Sequence, residues 1–165
     1  MRIMSFILAS AAVYAVCLSG CASMPEPTGS RAVAVWNLEN VSPEASSQPD
    51  LGQVLSGEIL QTIKERADVR VVEREKLVAI MEELKLGSSD LADDSTRLRV
   101  GRMIGAAEMV FGGYMVVGGT MRIDLRRVDV ETGKVVKTAK KTAGSNDITG
   151  WIKASQDAAA ELYSK

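Results

Sequence analysis

The chain has 165 residues, a formal net charge of −1 and no histidine. The near-neutral balance lacks the basic footprint of a nucleic-acid binder, and the missing histidine removes the commonest general acid–base and the commonest zinc ligand. Aromatic residues make up only 4% of the chain, too few for a stacking platform, and no nucleophile motif, P-loop or G-x-G-x-x-G occurs; no metal or cofactor site is expected.

The first segment is apolar. After Arg2, the run from Ile3 to Gly20 contains no charge. A positive start, an apolar middle and a small-residue end make an export signal; at this length the run is also at the lower limit for a membrane-spanning helix. Both cysteines, Cys17 and Cys21, lie at its end. A pair so close can form a disulfide, hold a metal or serve as separate chemical handles. The tetrad Leu18-Ser19-Gly20-Cys21 resembles the lipobox of bacterial lipoproteins. The resemblance implies cleavage before Cys21, loss of Cys17 with residues 1–20, and lipidation of Cys21. One acyl chain binds membranes only marginally, so firm anchoring takes two or more. In such lipoproteins an Asp after the cysteine favours retention in the inner membrane. Ala22 stands there, which implies the outer membrane, on its periplasmic face. Without Arg2 the net charge changes from −1 to −2.

Residues 21–30 read as a tether and residues 31–165 as one domain. Pro25, Pro27 and Gly29 block regular structure in the tether. Its nine residues from Ala22 to Ser30 reach about 30 Å at full extension, so the domain is expected to sit close beneath its membrane.

Within the domain, Arg31 to Asn37 reads as a strand, and Asn40 to Asp50 as a loop whose last residue can cap a helix. Leu51, Val54, Leu55, Ile59 and Ile63 recur at helical spacing up to Arg66-Ala67. Val69 to Val72 is a second strand. Glu73 to Leu86 is a second helix with Leu77, Ile80, Met81 and Leu84 on one face, closed by Gly87. A polar loop, Ser88 to Asp94, precedes a short helix from Ser95 to about Ile104, stopped by Gly105. Met109 to Val117 and Thr120 to Val130 are strands joined through Gly118-Gly119, a two-residue hairpin signal. In the second of these the apolar positions run Met121, Ile123, Leu125, then Val128 and Val130. The phase slips between Arg126 and Arg127, which predicts a β-bulge there. Val135 to about Thr142 is a fifth strand, and its Lys137, Lys140 and Lys141 suit an exposed edge. Ser145-Asn146-Asp147 caps a last helix, Ile148 to Tyr163. The predicted fold is α/β, in the order β-α-β-α-α-β-β-β-α: a single mixed sheet of about five strands with packed helices, the first crossover right-handed.

Trp151, in the first turn of the last helix, suits either of two places, the core or the membrane–water boundary where Trp is enriched. Trp36 suits the core. Glu73 to Lys76 reads as the solvated start of a helix, and Asp90, Asp93 and Asp94 as a solvated loop with caps.

Taken together, VRVVEREKLVAIMEELKL, GAAEMVFGGYM, RIDLRRVDVETGKVV and WNLEN (Trp36 to Asn40) resemble the CsgG-like family of outer-membrane lipoproteins, over roughly residues 32 to 143. Leu38 stands where the family has an aromatic residue. The family includes the curli secretion channel, the lipoprotein of Pel polysaccharide export and activators of peptidoglycan synthases, and none is an enzyme. The resemblance implies a homo-oligomeric ring in an envelope export apparatus, or an accessory activator of a cell-wall synthase. All five predicted strands are needed for the sheet, so a membrane barrel built by this chain alone is not expected. A tether of about nine residues disfavours reaching across to the cell wall.

Overall fold

The structure is a computed structural model, which describes residues 30–43, 51–66, 68–87 and 93–164. Cys21, the tether before Ser30, the Asp50 cap and Asp90 lie outside the described residues. The elements are β1 (Arg31–Val35), β2 (Glu39–Asn40), α1 (Leu51–Arg66), β3 (Val69–Val71), α2 (Arg74–Glu83), α3 (Asp94–Met103), β4 (Glu108–Val117), β5 (Thr120–Asp129), β6 (Val135–Thr142) and α4 (Ile148–Leu162). One mixed sheet runs β3-β1-β4-β5-β6, and β2 also pairs with β4. β1 lies parallel to β3 and β4, while β4, β5 and β6 form an antiparallel meander. The predicted α/β layout holds, with one added strand: β2 is only two residues long, and its pairing with Gly113 and Tyr114 is visible only in three dimensions.

Both faces of the sheet are packed. On the first face, α1 supplies Leu51, Leu55, Ile59 and Ile63, and α4 supplies Ala154, Ala158, Ala159 and Leu162. They meet Val33, Val35, Val110, Tyr114, Met121, Ile123 and Leu125 from the strands. Each fully buried Leu or Ile here contributes roughly 1.5–3 kcal/mol. Val54 is 44% exposed, so the apolar stripe of α1 is narrower than its spacing predicts. On the second face, Leu77 of α2 and Val100 of α3, followed by Ile104, cover Ala32, Ala34, Trp36, Met109, Phe111, Val128 and Val130. Trp36 is buried, as expected of it.

This two-sided packing corrects the reading of β5. Met121, Ile123 and Leu125 belong to the first core, Val128 and Val130 to the second. The apparent phase slip is a change of which face is covered, with the alternation along β5 intact. A register irregularity does occur, but between Arg127 and Val128. Arg127 opposes Lys137 and Val128 opposes Val135, so the extra residue is Val136, on β6.

Turns follow their chemistry. Gly118 and Gly119 both have positive φ, 57° and 79°, as a tight hairpin with the sheet's twist requires. The end of α2 differs from expectation. The left-handed residue is Lys85, with φ 51°, rather than Gly87. The Leu86 amide reaches back to the Met81 carbonyl at 3.1 Å while its side chain packs on the second core. That hydrophobic closure pins the chain before Gly87.

Three aspartates order helix starts and a turn. Asp93 accepts from the Thr96 amide at 3.1 Å, Asp147 from the Gly150 amide at 2.7 Å, and Asp129 from the Thr132 amide at 2.8 Å and hydroxyl at 2.7 Å. Hydroxyl and amide donors hold all three carboxyls below the usual range: Ser95 first for Asp93, the Thr132 hydroxyl for Asp129, the Gly150 amide for Asp147. A depressed folded-state pKa adds stability above the unfolded value and loses it as pH falls through the folded value. The melting temperature is therefore expected to hold near neutrality and drop below about pH 4, the ordinary Asp range. Asp147→Ala removes the cap of α4 and is expected to lower the melting temperature at pH 7 and to shrink the acid-induced drop. Thermal unfolding of both proteins from pH 7 to pH 2.5 checks this; parallel curves would show that Asp147 does not carry it.

Candidate functional site

The segment Trp36 to Asn40 sets up the molecule's most developed surface. The Trp36 amide bonds to the Val110 carbonyl at 2.9 Å, and the Val41 amide to the Tyr114 carbonyl at 2.9 Å. Between them the chain leaves the sheet, and Leu38 turns into the first core. Ser56 of α1 holds this break. Its hydroxyl accepts from the Leu38 amide at 2.9 Å and lies 2.6 Å from the Gly52 carbonyl, to which it donates. Gly52 is required here, because a Cβ would stand 2.3 Å from the Leu38 carbonyl oxygen.

The break delivers Glu39 to the second face, where it pairs with Arg97 of α3. Arg97 is buried, and its guanidinium lies 5.8 Å from the centre of the Trp36 ring. Next to it, Arg126 lies 5.4 Å over Phe111 and donates to both oxygens of Asp94 at 2.8 Å. Arg122 grips Asp124 through two bonds of 2.8 and 2.9 Å, and Lys140 approaches the same carboxylate at 3.7 Å. Together Glu39, Val41, Phe111, Asp124, Arg126 and Lys140 line a shallow groove of about 620 Å³. Helices α2 and α3 cover the second face over β3, β1 and the start of β4. The groove is the part over β5 and β6 that they leave open. Its charges are mixed and mutually paired, which suits recognition of another polar surface better than catalysis.

A second polar cluster ties β1 to α4. Glu108, 1% exposed, bonds to Arg31 at 2.8 Å and lies 3.8 Å from the Arg127 Nε. Arg127 stacks on Tyr163 with 4.5 Å between its guanidinium carbon and the ring centre. Burial, reinforced by Glu108, pushes the Tyr163 phenol well above its usual range. The first residue of β1 is thus joined to the end of α4.

The residues singled out by sequence fall as follows. Trp151 is half buried against the first core beside Ile152. It starts a helix that ends at Tyr163, beside Arg127 and Arg31, so Trp151 lies at the end of the molecule opposite Arg31. Glu73 precedes α2 without a side-chain cap, and Arg74 bonds to Asn37. Asp93 is the cap of α3, and Asp94 serves Arg126 and Arg97. β6 is an edge strand, as its lysines indicate. Lys137 donates to the Ser164 carbonyl at 2.6 Å, and Lys141 pairs with Glu161. Arg97, Arg126, Ser56 and Glu108 escaped sequence reading. A charged residue at the head of an apolar strand, as Glu108 is, was the one available signal.

Residues 17–116 match the family described as curli production assembly/transport component CsgG. The chain belongs to this family. No curated protein matches it by sequence. Among solved structures it is similar to the LpoB C-terminal domain from Salmonella enterica (TM-score 0.59, 15% identity, 72% of this chain and 85% of that one). It is also similar to lipoprotein GNA1162 from Neisseria meningitidis (0.57, 16%, 70% and 83%) and to the PelC dodecamer from Paraburkholderia phytofirmans (0.52, 17%, 82% and 90%). At such identities these likenesses bear on the fold alone.

Ser56→Ala removes the acceptor of a buried amide and is expected to cost about 1–3 kcal/mol. Gly52→Ala forces the break to move and should cost a similar amount, about 1–3 kcal/mol. Denaturant unfolding of each variant beside the wild type checks both. A wild-type midpoint in either core variant would show that the Leu38 break does not depend on α1.

Proposed function

We propose that the protein is a non-enzymatic lipoprotein of the outer membrane, held on the periplasmic face by acyl chains on Cys21. Copies assemble into a ring that forms the periplasmic part of an envelope export apparatus. The observation that carries this reading is the placement of the chain's start relative to its free surfaces. β1 begins beside Glu108, the β5–β6 turn and the end of α4, so the tether joins one end of the strands. The open groove and the α2 layer lie sideways of that axis, at opposite edges of the sheet. Copies can therefore pack side by side with every tether directed at the same membrane. The end bearing Arg31, rather than the end bearing Trp151, then faces the lipid.

Further support comes from the dodecameric assembly of PelC, whose structure this chain covers almost throughout. Among the described residues no helix is long and apolar enough to cross a membrane; the attachment proposed is lipid at Cys21. The cargo belongs to the classes handled by such apparatus: polysaccharide, amyloid subunits or flagellar components.

The test is light scattering after gel filtration of the full chain, expressed with its signal and extracted in mild detergent. A discrete assembly of many copies is expected, with intact mass showing loss of residues 1–20 and gain of acyl chains. Cys21→Ala is expected to leave the chain unacylated and uncleaved. A single-chain mass at all concentrations would overturn the ring and favour an accessory activator of a cell-wall synthase.

A further inference from the structure

Two features, at opposite edges of the sheet, have no explanation within one copy. The first is Gly57, in the interior of α1. The helical glycines Gly52, Gly101 and Gly150 are forced. A Cβ at each would overlap, in turn, the Leu38 carbonyl oxygen, the Met109 sulfur and the Ser145 hydroxyl. A Cβ at Gly57 would meet nothing within 4 Å. Glycine inside a helix is destabilising relative to alanine, and here no neighbour among the described residues requires it. Gly57 borders a hollow of about 220 Å³, with Val35 and Leu60 as its apolar floor and Glu73 to Glu75 on the far wall. Val54, on the same stretch of α1, is 44% exposed beside Gly57. β3 ends level with Val33, so β1 has no outer neighbour at Val35 and the hollow opens past the edge of the sheet.

The second feature is the start of β6, the opposite edge strand. Edge strands are ordinarily blunted by charge, as Lys137, Lys140 and Lys141 do farther along. Val135 and Val136 are instead 52% and 45% exposed, and Val136 is the extra residue of the register shift, without a partner on β5. We infer that the hollow beside Gly57 receives Val135 and Val136 of a second copy of this chain. The inference rests on the ring reading above and names its interface. The tether decides which surface can arrive there. It reaches about 30 Å at most and leaves every copy at the same end, beside Glu108, so neighbours on one membrane stand the same way up. A rotation about an axis along the strands then leaves heights unchanged. The hollow lies at the row of Val35, which continues through Val110 and Arg127 to Lys137. Val136 immediately precedes Lys137, so it stands at the height of the hollow on the other edge. A contact between two different patches repeats from copy to copy and closes when the rotation allows. The valines fill the space that a side chain at position 57 would take.

The test uses the acylated full chain in detergent. With Cys17 lost and Cys21 acylated, the mature chain carries no other thiol, so added cysteines report only their own contacts. One form carries Gly57→Cys and Val136→Cys together. The edge strands beside these sites are four strand spacings apart, about 20 Å, beyond the roughly 7 Å that a disulfide spans between Cα atoms. Mild oxidation is therefore expected to link copies into a ladder of covalent multimers. Gly57→Cys with Thr142→Cys, farther along the same edge, is expected to stay unlinked. Gly57→Gln places its side chain in space that is open in one copy. It is expected to raise the melting temperature, yet to lose the assembly and scatter as a single chain. If the wild type assembles and Gly57→Gln assembles equally well, this interface is wrong while the ring stands. An assembling chain whose Val136 pair gives no ladder, or whose Thr142 pair gives an equal one, also overturns it. If the wild type is itself a single chain, both readings fall.

Discussion

Strand β4 is the member on which the rest of the structure depends. It pairs with β5 along its whole length on one side, and with β1 and then β2 on the other. Its side chains enter both cores, Val110 and Tyr114 on one face, Met109 and Phe111 on the other. A strand bonded on both edges and packed on both faces has no freedom of register, since a slip of one residue would exchange its two apolar sets. Glycine at position 112 belongs to the same constraint. A Cβ there would stand 2.4 Å from the Asp124 carbonyl oxygen and 2.6 Å from a Leu125 methyl.

What is fixed around β4 explains what is left free. The first face carries two long helices whose contact is close because α4 offers Ala154, Ala158 and Ala159. The second face carries two ten-residue helices, which are too short and too far to one side to cover β5 and β6. The uncovered part is consequently built of charge. Arg126 shields Phe111 while Asp94 holds its guanidinium, and Arg97 does the same for Trp36 with Glu39. Such half-exposed, paired charges add little net stability but keep aromatic rings covered without a helix above them.

Much of this arrangement was written in local patterns. Four of the five apolar positions read for α1, the double glycine of the β4–β5 hairpin, the Asp147 cap and the lysines of β6 each report a neighbourhood within a few residues. Where reading failed, the cause lay across the sheet. Val128 and Val130 read as a phase slip because a single string cannot say that a strand changes which of its faces is covered. β2 was missed because a two-residue strand has no period. Arg97 and Arg126 sit on a polar helix face and a polar strand face, so their partners, Trp36 and Phe111, are invisible to spacing. Leu84 ends α2 ahead of Gly87 because Leu86 finds a core to fold back on.

The sequence by itself determined the lipobox at Cys21 as a chemical pattern, the number and kind of the long elements, and the family whose motifs they carry. These depend on residues that are neighbours along the chain, where sterics and periodicity act directly. Only the tertiary structure decided that the sheet has two cores, that one of its faces stays half open, and that the start of β1 meets the end of α4. Those properties arise from contacts between residues such as Arg31 and Glu108, 77 positions apart. Their geometry exists only once the chain has closed on itself.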